Sequence, residues 1–342
     1  MANLLRILVR LLREKASTTI KIRLFSILKV LFVVSFAISF LILWILYPSS
    51  YEETWKGRAY YLFFLWLSSL ELSINWKEIP LKIQEVRSSR LITLFIVSLL
   101  PTVYVLAAYF SGLNTLIMEI SPKHYGLDWW SRTMPLTVEY LVFTILSLVM
   151  AVLAYGIKGL RYFLLPITLI GILGAIYLID NLYPFGEFTP FQILVPSTAI
   201  LASNLLALMG YRVDLEGQSY KTPVLRVWSD RGEAAFGIAW PCSGIDSLII
   251  YSVITILFLK DEDFSWRRKA AYFLIGAIIT YLINALRIVR IFMLAVEYGA
   301  TSLEVQRFHN YYGPLYSMLW IIAYQLVIIG VQFLSKRRCR SV

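Results

Sequence analysis

Three polar groups stand out in a strongly apolar chain: Cys242, Arg287 and His309. Cys242, one of only two cysteines, lies in Trp240-Pro241-Cys242-Ser243-Gly244-Ile245-Asp246-Ser247, a cluster of small polar residues at the mouth of a long apolar run. Ser243 and Asp246 have the spacing of a capping box, which predicts Ser243 as the N-cap of the following helix and Cys242 as the residue just before it. A thiol there faces unpaired amides and the positive end of a helix dipole, both of which lower its pKa. Gly244 would leave room for a substrate backbone, and the same amides could serve as an oxyanion hole. The competing reading is a buried cysteine acting as a small hydrophobe, and the local sequence does not choose between the two.

Asn284, Arg287 and Arg290 recur at a spacing of three, which puts them on one side of a helix. An arginine at the centre of a membrane helix costs about 2.5–3.5 kcal/mol, and less near the interface. For Arg290, nearer the helix end, snorkelling to headgroups is the simpler reading; Arg287 suits a buried role as a guanidinium facing a thiolate or a developing oxyanion. His309, in Phe308-His309-Asn310-Tyr311-Tyr312-Gly313-Pro314, can act as base toward a thiol and then as acid toward a leaving amine. A lone loop histidine is ordinarily inert, and His124, the other histidine, carries that reading.

The elements that must position these groups are membrane helices. With 59% hydrophobic residues, 15% charged residues and a mean hydropathy of +0.70, the 342-residue chain is too apolar for an ordinary soluble domain. The net charge of +11 falls in short clusters between apolar runs, the distribution of orientation signals, which argues against a nucleic-acid partner. No metal-ligand spacing and no Gly-rich phosphate loop is present, so neither a metal nor another cofactor is expected. No cleavable signal peptide is expected, because the first apolar run follows a long basic stretch.

Residues 1–29 carry Arg6, Arg10, Arg13, Lys15, Lys21, Arg23 and Lys29 among leucines and read as a cytoplasmic basic amphipathic segment. N-terminal transmembrane helices are expected over 30–190, with runs at about Val30–Tyr47, Ala59–Ile74, Leu91–Phe110, Leu136–Ile157 and Tyr162–Leu178. Basic residues at Lys77, Lys82, Arg87 and Arg90 and at Lys158 and Arg161 mark cytoplasmic loops. In the region 191–342, the cluster Lys260, Arg267, Arg268 and Lys269 orients the helix beginning at Ser243 inward. The helix at about Ala270–Leu294 then returns outward, and Pro314–Leu334 runs back to the tail Lys336-Arg337-Arg338-Cys339-Arg340, which leaves Cys242 extracytoplasmic. This bookkeeping closes only if Phe191–Leu208 does not cross. Pro190, Pro196 and the polar stripe Ser197, Thr198, Ser203 and Asn204 suit an interfacial or re-entrant helix. Val224–Trp228 and Ala235–Trp240, separated by Ser229-Asp230-Arg231-Gly232-Glu233, predict a small β-hairpin that delivers Cys242 to the membrane surface. The expected fold class is an all-α polytopic membrane protein of about eight transmembrane helices, with one interfacial or re-entrant helix and an extracytoplasmic hairpin.

Pro241-Cys242-Ser243-Gly244-Ile245-Asp246-Ser247 resembles the cysteine motif of the exosortase and archaeosortase family. Asn284-Ala285-Leu286-Arg287 resembles its Asn-x-x-Arg motif, and His309 through Gly313 resembles its His-x-x-x-Gly motif. The resemblance covers about residues 205–334, and the three motifs stand in the family's order. It implies a cell-membrane cysteine transpeptidase, with Cys242 as nucleophile, Arg287 as stabiliser and His309 as acid and base, and with Ser243, Gly244, Asn284 and Arg290 in support. Some archaeal members have an arginine in place of the histidine, so Arg307 is the other basic candidate. The implied partners are secreted proteins bearing a C-terminal motif, a hydrophobic span and a basic tail, together with a lipid acceptor. Two other readings remain at this stage: a transporter with Arg287, Arg290, Glu71 and Glu139 lining a path, and a lipid acyltransferase with Cys242 structural. Cys339 reads as an unmodified cytoplasmic tail residue, with juxtamembrane lipidation as the other possibility.

Overall fold

The apolar runs fold as helices close to where their length and spacing predict them. The computed structural model describes residues 26–53, 55–79, 88–124, 126–184, 187–219, 222–260 and 262–340, without the side chains of 88–91, 218, 219 and 334–340. Most of the basic segment 1–29 and the side chain of Cys339 therefore lie outside the described residues. The helices are α1 (Ser26–Leu46), α2 (Ala59–Ile74), α3 (Ser88–Phe110), α4 (Leu113–Ile120), α5 (Trp129–Leu160), α6 (Leu164–Leu182), α7 (Val195–Leu208), α8 (Ile245–Lys260), α9 (Trp266–Tyr298), α10 (Leu303–Arg307) and α11 (Gly313–Arg340).

Six helical runs among the described residues are long and apolar enough to cross a membrane. Their outward faces carry large apolar side chains such as Leu41, Phe95, Ile145, Leu274 and Leu326. So much exposed apolar surface is stable only against lipid, and the chain is a multi-span membrane protein. One of the six, Trp129–Leu182, contains both α5 and α6. It doubles back near Gly156 (φ 73°, ψ 176°), since a Cβ on Gly171 of α6 would meet Thr144 of α5.

The chain divides into two compact units. The first comprises Met1–Pro48, Tyr60–Leu116 and Glu139–Gly171. An aromatic core holds it together: Phe32 lies 4.8 Å from Phe163, Phe36 meets Phe64 edge-on at 5.2 Å, and Tyr155 stacks on Phe163 at 4.9 Å. The buried tyrosine hydroxyls donate to helix carbonyls, Tyr61 to Phe36 O (2.8 Å) and Tyr155 to Lys29 O (2.6 Å), so their polar ends are not stranded in the core. Glu71 accepts from the Asn75 amide one turn on (2.9 Å).

The second unit comprises Ser49–Ala59, Ile117–Val138 and Ile172–Val342, and it contains Cys242, Arg287 and His309. Its frame is a three-helix bundle centred on α9. Tyr251 of α8 and Tyr324 of α11 both donate to Tyr272 O, Trp320 of α11 donates to Thr280 Oγ1 (3.0 Å), and Gln325 of α11 donates to Thr255 of α8 (2.9 Å), so α8 and α11 run antiparallel to α9 and touch each other. At about 1.5 Å per residue, 33-residue α9 is roughly 50 Å long, well beyond the ~30 Å of a bilayer core. Its last turns, extending past the expected end at Leu294 to Tyr298, pack against a β-sheet.

That sheet corrects the expected hairpin. It has three antiparallel strands, β1 (Arg212–Ser219), β2 (Thr222–Ser229) and β3 (Gly232–Gly237), in the order β1-β2-β3. Val227 pairs with Val213 on one side and Ala234 on the other. Leu225 and Val227 point into the core while Arg226 faces outward to Glu216 (3.0 Å), the alternation of a half-buried strand. Ala239 and Trp240 lie beyond β3, and Trp240 opens a tight turn.

The segment Thr189–Leu208 is a candidate span by length and composition. Its regular part, α7, has 14 residues, about 21 Å at 1.5 Å per residue, and falls short of a ~30 Å bilayer core. Just before α7, the Phe191 ring packs tilted against Trp240 (4.6 Å), and Ala199, Ala202 and Leu206 share one buried cluster with Leu225, Val227 and the last turns of α9. Both ends of α7 thus pack against the elements that carry Cys242.

Candidate active site

Cys242 lies in a single 3₁₀ turn, Trp240–Ser243, between the sheet and α8. The expected capping box does not form. Ser243 donates its hydroxyl back to Trp240 O (2.7 Å), Asp246 accepts from Ser247 N (2.7 Å), and Gly244 is the residue whose carbonyl starts the helix. Gly244 adopts φ +91°, a conformation that costs other residues about 1–2 kcal/mol. Its small size makes room for a neighbour, because a Cβ there would lie 2.8 Å from Asn284 Nδ2. Asn284 uses that space to donate to the Cys242 carbonyl (2.9 Å).

His309 reaches the thiol from the opposite side. A π-helical turn, Phe308–Tyr312, joins α10 to α11, and such wide turns recur at functional sites because they re-aim side chains. His309 Nε2 lies 3.6 Å from Cys242 Sγ, and Nδ1 lies 2.9 Å from Asn310 Oδ1. If Asn310 accepts from Nδ1, the tautomer left has Nε2 free to take the thiol proton. Arg287 Nη2 donates to His309 O (3.1 Å), tying α9 to the π turn. Gly313 permits this, since a Cβ there would lie 2.6 Å from Arg287 Nε.

Electrostatics favour the thiolate. Burial pushes the half-buried Cys242 thiol up, but the His309 hydrogen bond, the His309 charge and the Arg287 charge together outweigh it. The net result lies below the ordinary cysteine value even with Asp246 acting against it.

The structure thus brings together Cys242, Ser243, Gly244, Asn284, Arg287 and His309. Arg290 is exposed, on neither the thiol nor the histidine, and Arg307 is exposed as well. His124 also has a definite place, with Nε2 3.0 Å from the Asn181 carbonyl.

Several supporting contacts could not be read from the sequence, although Ser197 and Thr198 stand in the polar stripe and Trp240 in the stretch around Cys242. Thr198 donates to the Ser243 carbonyl (2.9 Å) and shares a hydrogen bond with Tyr281 (3.0 Å), which in turn reaches Ser197 (3.0 Å). Trp240 donates its indole N–H to Asp180 (2.9 Å), and Asp180 is paired with buried Lys56. Lys56 also contacts Asn181 and lies 4.3 Å from the Trp129 ring. A buried ion pair therefore anchors the residue two positions before Cys242.

A cavity of about 270 Å³ opens beside the thiol. Cys242, His309, Asn310 and Gln306 line it together with the apolar side chains of Phe236, Ile238, Ile288, Ile291, Phe292 and Val305.

These features define a polytopic membrane protein with a cysteine–histidine pair set in a turn at the start of a helix. The chain belongs to the transmembrane exosortase family (Exosortase_EpsH), whose model matches residues 51–326. The match reaches well past the motif-bearing stretch into the N-terminal helices. No curated protein and no solved structure matches the chain. The family is in general a class of cysteine transpeptidase-like enzymes that suggests processing of sorting signals on secreted proteins.

Proposed function

We propose that Cys242 is the nucleophile of a membrane transpeptidase that cleaves C-terminal sorting signals at the outer face of the cytoplasmic membrane. The observation that carries this reading is the 3.6 Å approach of Cys242 Sγ to His309 Nε2, with both partners pinned from α9 by Asn284 and Arg287. His309 takes the thiol proton, and the thiolate attacks the scissile carbonyl. Arg287 supplies positive charge toward the thiolate and the oxyanion that follows. As the tetrahedral intermediate collapses, the C–N bond breaks and His309 returns the proton to the leaving amine, which departs with the hydrophobic span and basic tail. The thioester on Cys242 is then attacked by the amine or hydroxyl of a lipid acceptor; His309 accepts its proton, the C–S bond breaks, and the Cys242 thiolate is restored.

The placement of charge supports the outer face. Lys260 and Arg267 to Lys269 lie at the end of the α8–α9 hairpin away from Cys242, about 24 Å along 16-residue α8 at 1.5 Å per residue. By the positive-inside rule that end is cytoplasmic. The packing of both ends of α7 near Cys242 supports the non-crossing segment that the same topology requires.

Replacing Cys242→Ser tests the nucleophile. Processing of a co-expressed protein carrying a sorting signal should fall by at least 10³-fold while the variant still inserts and folds. Release of the C-terminal segment at the normal rate would rule the mechanism out.

A further inference from the structure

The cavity beside Cys242 is lined by Cys242 and by three polar residues of one short stretch, Gln306, His309 and Asn310. The other lining residues, from β3 and the residue after it, α9 and α10, are apolar or glycine. Its volume of about 270 Å³ sits just under the ~300–1,000 Å³ of small-molecule sites, room for one or two side chains but not for a whole lipid. Cys242 is itself part of the wall, so an acyl group bonded to its Sγ has this space beside it.

We infer that this cavity is the specificity subsite for the substrate side chain immediately before the scissile bond, and that it takes a large apolar residue, aromatic or branched aliphatic. The inference rests on the reading of Cys242 as nucleophile. Apart from the Cys242–His309 pair the walls carry no charged side chain, so an acidic or basic residue lying along Phe236, Ile288, Ile291 and Phe292 would give up water for apolar contacts. Phe236 and Phe292 meet edge-on at 5.2 Å and form an aromatic wall. Phe292 is fully buried in the core, whereas Phe236 is only half-buried on the sheet, which makes Phe236 the adjustable side of the subsite.

The test uses the full chain in detergent micelles and a panel of N-acetyl-aminoacyl chloromethyl ketones bearing Phe, Leu, Asp or Lys side chains. In each, the thiolate forms a C–S bond as chloride leaves. Iodoacetamide, too small to need the cavity, reports on the thiol alone, and labelling is read at the Cys242 peptide by mass spectrometry. Relative to iodoacetamide, the Phe and Leu reagents should label on the order of 10–100-fold faster than the Asp reagent. Phe236→Asp should slow the Phe reagent about tenfold or more and speed the Lys reagent, each rate taken relative to iodoacetamide on the same variant so that any change in the thiol itself cancels. Equal rates for all side chains, or a preference unmoved by Phe236→Asp, would overturn the subsite while leaving Cys242 as a reactive thiol. A Cys242 inert even to iodoacetamide would overturn the nucleophile reading and the subsite with it.

Discussion

Gly313→Ala tests whether Arg287 is held where the proposed chemistry needs it. Gly313 has ordinary helical angles (φ −61°, ψ −51°), so the backbone accepts alanine, which ordinarily adds about 0.5–1 kcal/mol to a helix. What forbids it is Arg287. The new Cβ would lie 2.6 Å from Nε, 2.8 Å from Cδ and 2.9 Å from Cγ, all in the middle of the side chain rather than at its flexible tip. Overpacking of that kind costs about 1–3 kcal/mol. In the native background the substitution should therefore be neutral to destabilising by about 2 kcal/mol, the overpacking cost less the helix gain. In an Arg287→Ala background every one of those clashes is gone, and Gly313→Ala should stabilise by about 0.5–1 kcal/mol. The difference is a coupling of about 1–3 kcal/mol, readable from a thermal or denaturant unfolding cycle on the four proteins in detergent. The same substitution should raise the pH at which Cys242 becomes reactive to iodoacetamide, because displacing the guanidinium removes one of the charges that lowers the thiol pKa. Equal stabilisation in both backgrounds, with an unchanged reactivity profile, would show that Arg287 does not lie under Gly313.

Two further outcomes are expected. His309→Gln should abolish processing and move the inflection of Cys242 alkylation upward toward the ordinary cysteine value. The thiolate fraction near neutral pH then falls, since the histidine supplies the two leading interactions that lower that pKa; an unmoved inflection would separate His309 from the thiol. Lys56→Met should destabilise the fold by about 3–5 kcal/mol, because it leaves Asp180 buried without its cation. In the native protein burial pulls Lys56 down from 10.5 to about 8, with Asp180 resisting. Between those values the unfolded chain binds the extra proton, so the Lys56 contribution makes stability rise from about pH 8 to about pH 10.5. A stability difference between native and Lys56→Met proteins that stays flat across that window would contradict the buried placement of Lys56.

The local patterns carried much of the fold. Apolar runs of about twenty residues marked the spans within a few residues, as at Leu91–Phe110 against the observed run Ile92–Phe110, because lipid demands continuous apolar helix. β1 was not legible: Asp214, Glu216 and Gly217 disfavour a strand, and only pairing with β2 makes Arg212–Ser219 one. The capping box at Ser243 failed for a similar reason. Its spacing was right, but a 3₁₀ turn satisfies the hydroxyl first and hands the start of the helix to Gly244.

By itself the sequence determined a polytopic membrane protein of the exosortase type, and it singled out Cys242, Asn284, Arg287 and His309, because residue type and order survive without any knowledge of contacts. Only the tertiary structure decided why the motif glycines are glycines. Gly244 makes room for Asn284 and Gly313 for Arg287, pairs separated by 40 and 26 residues that antiparallel helices bring to one level. It alone showed Asn310 behind His309, the Lys56–Asp180 pair behind Trp240, and a largely apolar cavity beside Cys242. Those depend on distances across the fold, which no one-dimensional spacing encodes.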